Sequence, residues 1–259
     1  MQGRFPATSG YSYSFGPGPL TPAIKILVIA NVGAYLLSLI APQLTLMFGL
    51  RPADVFGELR FWQPLTYMFL HGGIFHLLFN MLALWMFGVE LERMWGTRFF
   101  TRYYFVCGVG AAATTIVLAL LPGSFGARLY YPLTIGASGA VYGILLAYAL
   151  YFPNRPIYMY MVFPIPAKYF VMIMGGISLL SAMGSTGDGL AHTTHLGGLA
   201  AGYLYLKGGR IHLLSEIQYR YLKWKINRTR RKFDVYSGGR SVSGGPGGRG
   251  ANDGDRRVH

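Results

Sequence analysis

Charge is scarce in this chain. Only 12% of its 259 residues are Asp, Glu, Lys or Arg, against roughly 25% in a soluble domain. Hydrophobic residues make up 53%. The shortfall excludes an ordinary soluble core and indicates a polytopic membrane protein. Cysteine is nearly absent: Cys107 stands alone, which excludes a disulfide framework and leaves the redox compartment unreadable. Acidic residues number nine, and no HExxH motif occurs. Residues 1–20 contain one Arg and no apolar run. No cleavable signal peptide is evident there, and the stretch reads as a disordered leader, taken here as residues 1–22.

What is abundant is apolar sequence in blocks. A membrane span needs about 20 mainly apolar residues. Six such blocks are expected, at 23–41, 66–89, 99–121, 136–152, 167–183 and 191–206. Connections rich in Pro and Gly separate them. With six spans both termini share one side. Outside the tail, that side collects seven Lys and Arg residues, among them Arg93, Arg98, Arg102 and Arg155. The other side collects three: Arg51, Arg60 and Arg128. The positive-inside rule then makes both termini cytoplasmic. The second, fourth and sixth spans run from the outside inward.

Polar side chains within spans are costly and point to function. They gather in the outer halves of those three inward-running spans. The second contains His71, His76 and Asn80; the fourth contains Ser138 and Tyr142; the sixth contains His192 and His195. Gly139 and Gly143 form one GxxxG pair, Gly198 and Gly202 another. Such pairs let helix backbones approach closely. Aligning the two pairs leaves Ser138 and His195 roughly 3 Å apart in depth, within reach of a hydroxyl–imidazole hydrogen bond. Tyr142 lies one turn below Ser138, placed to pack flat on the imidazole.

A serine beside a histidine base is the minimum for nucleophilic catalysis. No acid lies in the expected spans, and only Asp188, in the loop before the sixth, is near. The expectation is therefore a dyad. Acyl transfer also needs oxyanion donors. His76 and Asn80 share one face of their helix, and the Ser138 backbone N–H is free at a helix start. His71 is about 140° around that helix and faces elsewhere, where it holds the outer loop or shapes the site. Gly136 keeps the approach to the serine open.

Each feature has a plainer reading. A serine among glycines is ordinary helix packing, paired GxxxG motifs say nothing of chemistry, and an intramembrane histidine is often a satisfied polar contact. Four histidines, His71, His76, His192 and His195, also suit a metal or haem protein. The absence of nearby cysteine or carboxylate ligands weighs against that, and no cofactor or metal is expected. Thirteen of the 23 Lys and Arg residues, which dominate a net charge of +14, lie after residue 206. Residues 207–236 mix them with apolar and aromatic side chains and read as an interfacial helix on anionic inner-leaflet lipids, with no nucleic acid expected. Residues 237–259 are of low complexity and are expected to be disordered.

Together these residues resemble the rhomboid intramembrane serine proteases over residues 23–206. The motifs are Gly136-Ala137-Ser138-Gly139, His71/His76/Asn80, and His195/Gly198/Gly202. The resemblance implies Ser138 as nucleophile and His195 as general base. It also implies His76, Asn80 and the Ser138 N–H as the oxyanion hole, and Tyr142 as the aromatic beneath the histidine. Spacing to the glycines selects His195 over His192, which becomes a supporting group. The family often carries Trp-Arg before the second span, where this chain has Trp62-Gln63. The implied fold is an all-α membrane protein, a six-transmembrane-helix rhomboid-like bundle with a basic cytoplasmic tail. Implied partners are the lipid bilayer and single-pass transmembrane protein substrates. The positive-inside bias fits a bacterial inner membrane, with the site open outward. A catalytically silent rhomboid-like binder of membrane proteins is the alternative function.

Overall fold

The computed structural model describes residues 16–159, 163–183 and 189–208. Helix α1 (Pro22–Ile40) opens the bundle. Three short helices follow: α2 (Gln43–Phe48), α3 (Pro52–Gly57) and α4 (Gln63–Thr66), the last running into a 3-10 turn, Tyr67–Phe69. Then come α5 (Ile74–Trp95), α6 (Thr97–Ala119), the short α7 (Ser124–Tyr130) and α8 (Ser138–Tyr151). A two-stranded antiparallel hairpin, β1 (Pro156–Met159) and β2 (Phe163–Pro166), leads to α9 (Ala167–Met183) and α10 (Gly189–Gly208). The fold is thus predominantly helical, and the hairpin departs from the all-α expectation.

Three helices, α1, α5 and α6, are long and apolar enough to cross a membrane; α8 and α9 are apolar but shorter. The span expected at 66–89 begins later and ends later, as α5. Gly72 and Gly73 favour helix poorly and divide it from the preceding turn. Because α5 runs on to Trp95, Glu90 and Glu92 belong to this apolar helix, contrary to the acid-free spans expected. Both are already engaged. Glu90 pairs with Arg155. Glu92 is buried and accepts the Ala23 and Ile24 N–H groups at 2.9 and 3.1 Å and the Thr97 hydroxyl at 2.7 Å, together with the Thr21 hydroxyl. Its carboxylate thus covers the unpaired N–H groups at the start of α1, where the helix dipole favours negative charge.

The disordered reading of residues 1–22 does not extend to 16–22. The Trp85 indole N–H donates to the Gly18 carbonyl at 2.9 Å, and Arg93 donates to the Pro17 and Pro19 carbonyls at 2.5 and 3.3 Å. Pro22 opens α1, where its missing N–H costs nothing. Residues 1–15 lie outside the described residues, as do Asp188, the basic segment from residue 209 and the stretch 237–259.

Small residues decide how the central helices pack. A Cβ on Gly198 would overlap the Gly139 carbonyl, and one on Gly202 would meet the Gly143 Cα at 3.3 Å. The two GxxxG pairs therefore face one another, backbone to backbone. The third wall is α6. Gly197 lies against Ala111 and Thr114, Gly110 against Ala201, and Cys107 against both Gly143 and Gly202. Thr115 and Thr194 share a hydroxyl hydrogen bond of 2.8 Å between α6 and α10. The run Gly108–Thr115, GVGAAATT, carried that signal in the sequence.

Two stability outcomes follow. Gly198→Ala is expected to push α10 from α8 and cost about 1–3 kcal/mol, read as a lower melting temperature of purified protein in detergent. Glu92→Ala leaves the Ala23 and Ile24 N–H groups unpaired. It is expected to lower stability by about 1–3 kcal/mol in the same melts.

Candidate active site

Ser138 is the first residue of α8, and its position is fixed from both sides. Upstream, Leu50 and Thr134 exchange backbone hydrogen bonds of 2.9 and 2.8 Å, and the Gly136 N–H donates to the Tyr67 carbonyl at 2.9 Å. Gly136 has φ +125°, a conformation only glycine adopts readily. A Cβ there would also lie 2.7 Å from His76 Nε2 and 3.8 Å from Ser138 Oγ. Glycine is required on both counts, and its bare Cα leaves His76 and Ser138 facing one small space. Downstream, the first turn of α8 leaves the Ser138 and Gly139 N–H groups without helical acceptors.

His195 approaches from α10. Its Nε2 lies 2.8 Å from Ser138 Oγ. The Tyr142 ring stacks on the imidazole with centroids 4.2 Å apart and planes 8° apart. An imidazole that takes the serine proton on Nε2 carries its own proton on Nδ1. His195 Nδ1 is buried with no hydrogen-bond partner, so no carboxylate orients this ring among the described residues. The stack and the hydroxyl hold it instead.

His76 lies on the first turn of α5. Its Nδ1 accepts the Gly72 N–H at 3.4 Å, which leaves the proton of a neutral ring on Nε2, facing Gly136. Asn80, one turn later, is buried and donates one amide N–H to the His76 carbonyl at 2.8 Å. Its second N–H remains. His71 does not face elsewhere. It precedes the helix, so its direction does not follow helical periodicity. Its ring is buried edge-on against His76, with centroids 5.0 Å apart. His192 packs edge-on against His195 at 5.7 Å. The four histidines thus form two edge-to-face pairs. Among the described residues, no three His, Cys, Asp or Glu side chains converge as a metal-binding group.

Several contributors were not singled out from sequence. The Tyr67 hydroxyl donates to the Gly108 carbonyl at 2.8 Å, and the Tyr103 hydroxyl to the Gly143 carbonyl at 2.7 Å. The Ser178 hydroxyl, on α9, donates to the Tyr142 hydroxyl at 3.3 Å. Gln63 stands where the resemblance suggests Arg. It is fully buried, accepts the Arg51 N–H at 3.1 Å and donates to the Met47 carbonyl at 3.4 Å. Trp62 also donates to Met47, at 3.1 Å, and Thr66 to Phe48, at 2.7 Å. An amide offers both donor and acceptor, so Gln63 meets both polarities of this backbone.

The same region matches known proteins. A family model described as Rhomboid domain matches residues 58–209. Rhomboid protease GluP of Bacillus subtilis (strain 168) is 31% identical over 163 residues, which is 60% of this chain and 27% of that protein. RHOMBOID-like protein 12, mitochondrial, of Arabidopsis thaliana is 28% identical over 183 residues, 67% of this chain and 54% of that protein. Rhomboid protease GlpG of Salmonella choleraesuis (strain SC-B67) is 30% identical over 125 residues, 48% of this chain and 41% of that protein. The chain therefore spans about half or less of the length of these relatives. With more than half of its residues matched by the family model, and with its apolar helices, the chain is an integral membrane protein that belongs to the rhomboid family.

Proposed function

We propose that the chain is an intramembrane serine endopeptidase that hydrolyses peptide bonds in or near transmembrane helices of membrane-protein substrates. The observation that carries this reading is the 2.8 Å hydrogen bond between His195 Nε2 and Ser138 Oγ. Membership of the rhomboid family supports it, as do relatives named as proteases.

In the acylation step His195 Nε2 takes the Ser138 hydroxyl proton while Oγ attacks the substrate carbonyl carbon. The carbonyl oxygen becomes an oxyanion. It receives hydrogen bonds from His76 Nε2–H, the second Asn80 amide N–H and the Ser138 backbone N–H. The tetrahedral species collapses, the C–N bond breaks, and His195 returns its proton to the leaving amine. Water then hydrolyses the acyl-enzyme by the reverse roles. Desolvated donors of this kind are typically worth about 10²–10³-fold in rate each.

The helix lengths suit a recessed site. At 1.5 Å per residue, the 14 residues of α8 span about 21 Å, less than the ~30 Å hydrocarbon core. With its inner end at the cytoplasmic boundary, α8 starts about 9 Å below the outer surface. Water reaches such a site from one side only. On this reading six helices cross the membrane. Both termini are cytoplasmic in a bacterial inner membrane, and the basic segment from residue 207 rests on anionic inner-leaflet lipids. The substrates are single-pass proteins whose helices unwind locally to expose the scissile carbonyl.

Three outcomes test the reading. A fluorophosphonate probe should label purified wild-type protein and fail on Ser138→Ala. His195→Ala should cut cleavage of a model transmembrane substrate about 10³-fold or more, with expression and melting temperature kept. An unlabelled, folded wild type would mark a silent membrane-protein binder instead. Gly136→Ala should lower kcat about 10²-fold by displacing His76, with folded protein still recovered.

A further inference from the structure

Helix α9 buries few of its residues. Of its described residues only Ala167, Val171 and Ser178 are buried. Met172, Ile173, Ile177, Leu179, Leu180 and Met183 are exposed apolar side chains, as suits a helix bordered by lipid. Ala167 and Val171 lie in the first two turns, beside the β-hairpin. In the second half of α9, Ser178 is the one buried residue, and it is polar.

A buried hydroxyl in an apolar setting needs a partner. Ser178 finds it in the Tyr142 phenol, at 3.3 Å. Tyr142 is the ring stacked 4.2 Å beneath the His195 imidazole. A single chain of contacts therefore runs from α9 through Ser178 and Tyr142 to His195 and Ser138. Among the described residues, Ser178 is the hydrogen-bond partner of that hydroxyl. One face of its ring is taken by the imidazole, and a swing about χ1 would carry the ring out of the stack. The Ser178 hydroxyl holds the far end of the ring, the phenol oxygen, against that swing. His195 has no partner on Nδ1, so the tilt of its imidazole is set by Tyr142 on its face, Ser138 at its edge and the edge-on ring of His192.

We propose that Ser178 is a positioning residue: its hydrogen bond to Tyr142 aligns the ring on which His195 rests, and makes the dyad's alignment depend on where α9 lies. The inference rests on the serine-protease reading above. Ser178 does not touch the reacting atoms. Its loss leaves substrate contacts intact but widens the range of imidazole orientations, so the effect falls on kcat rather than on KM. Displacement of the second half of α9 stretches the same bond, which links the position of this lipid-facing helix to dyad geometry.

The test is a double-mutant cycle on purified full-length protein in detergent, with a model transmembrane substrate. Ser178→Ala is expected to lower kcat about three- to tenfold with KM within about twofold, and so is Tyr142→Phe, which removes only the phenol oxygen. The double variant should be no slower than either single one. Ser178→Thr keeps the hydroxyl and should recover most of the rate. Melting temperatures separate this from unfolding, and slower fluorophosphonate labelling of Ser138 in Ser178→Ala gives a substrate-free readout. Unchanged kcat in Ser178→Ala, additive losses in the double variant, or no recovery in Ser178→Thr would each overturn the positioning role while the protease reading stands. Wild-type protein that neither labels nor cleaves would overturn the protease reading itself, and the positioning role with it.

Discussion

Everything at the candidate site depends on how closely α8 and α10 approach. Ser138 and His195 have short reaches, and they lie 57 residues apart in the chain, on different helices. Helices with ordinary side chains pack with axes 8–10 Å apart. Gly139, Gly143, Gly198 and Gly202 remove the side chains that would hold these two apart, to the point where a single Cβ at Gly198 would overlap the Gly139 carbonyl. The helix–helix contact and the serine–histidine contact are therefore one feature. A change that widens the first lengthens the second.

Close approach brings its own requirement. Glycine exposes its backbone carbonyl, and in an apolar bundle that carbonyl gains from a further donor. Tyr103 supplies one to Gly143, and Tyr67 supplies one to Gly108. Both tyrosines are fully buried, so their own hydroxyls need these acceptors equally. Tyr67 also accepts the Gly136 N–H through its backbone carbonyl. It thereby ties α6, the 3-10 turn and the approach to Ser138 together. In the same way Gln63 knits the segment between α1 and α5 by meeting one backbone donor and one acceptor. The polar residues of this bundle are mostly spent on backbone groups. The Ser138–His195 pair, like Thr115–Thr194 and Ser178–Tyr142, instead joins side chain to side chain.

Much of this was legible in the sequence, for a definite reason. Apolar blocks show as composition, and the GxxxG pairs mark which helix faces meet. The common depth expected of Ser138, His195, His76 and Asn80 rests on counting residues. His71 was misread because helical periodicity was applied to a residue that Gly72 and Gly73 place before the helix. Glu92 was missed as a fixture because the end of α5 was set too early. Ser178 was passed over because a serine in an apolar helix carries no sequence mark of its partner.

The sequence by itself carried the family resemblance, the apolar helical character and the expectation that Ser138 and His195 meet, since these rest on motifs, local pattern and spacing. Only the tertiary structure decided which further groups surround the pair: the edge-on His71 and His192, the Gly136 space in front of His76, and the Ser178 tie from α9. These depend on side-chain rotation and on contacts between distant segments. No periodicity along the chain encodes them.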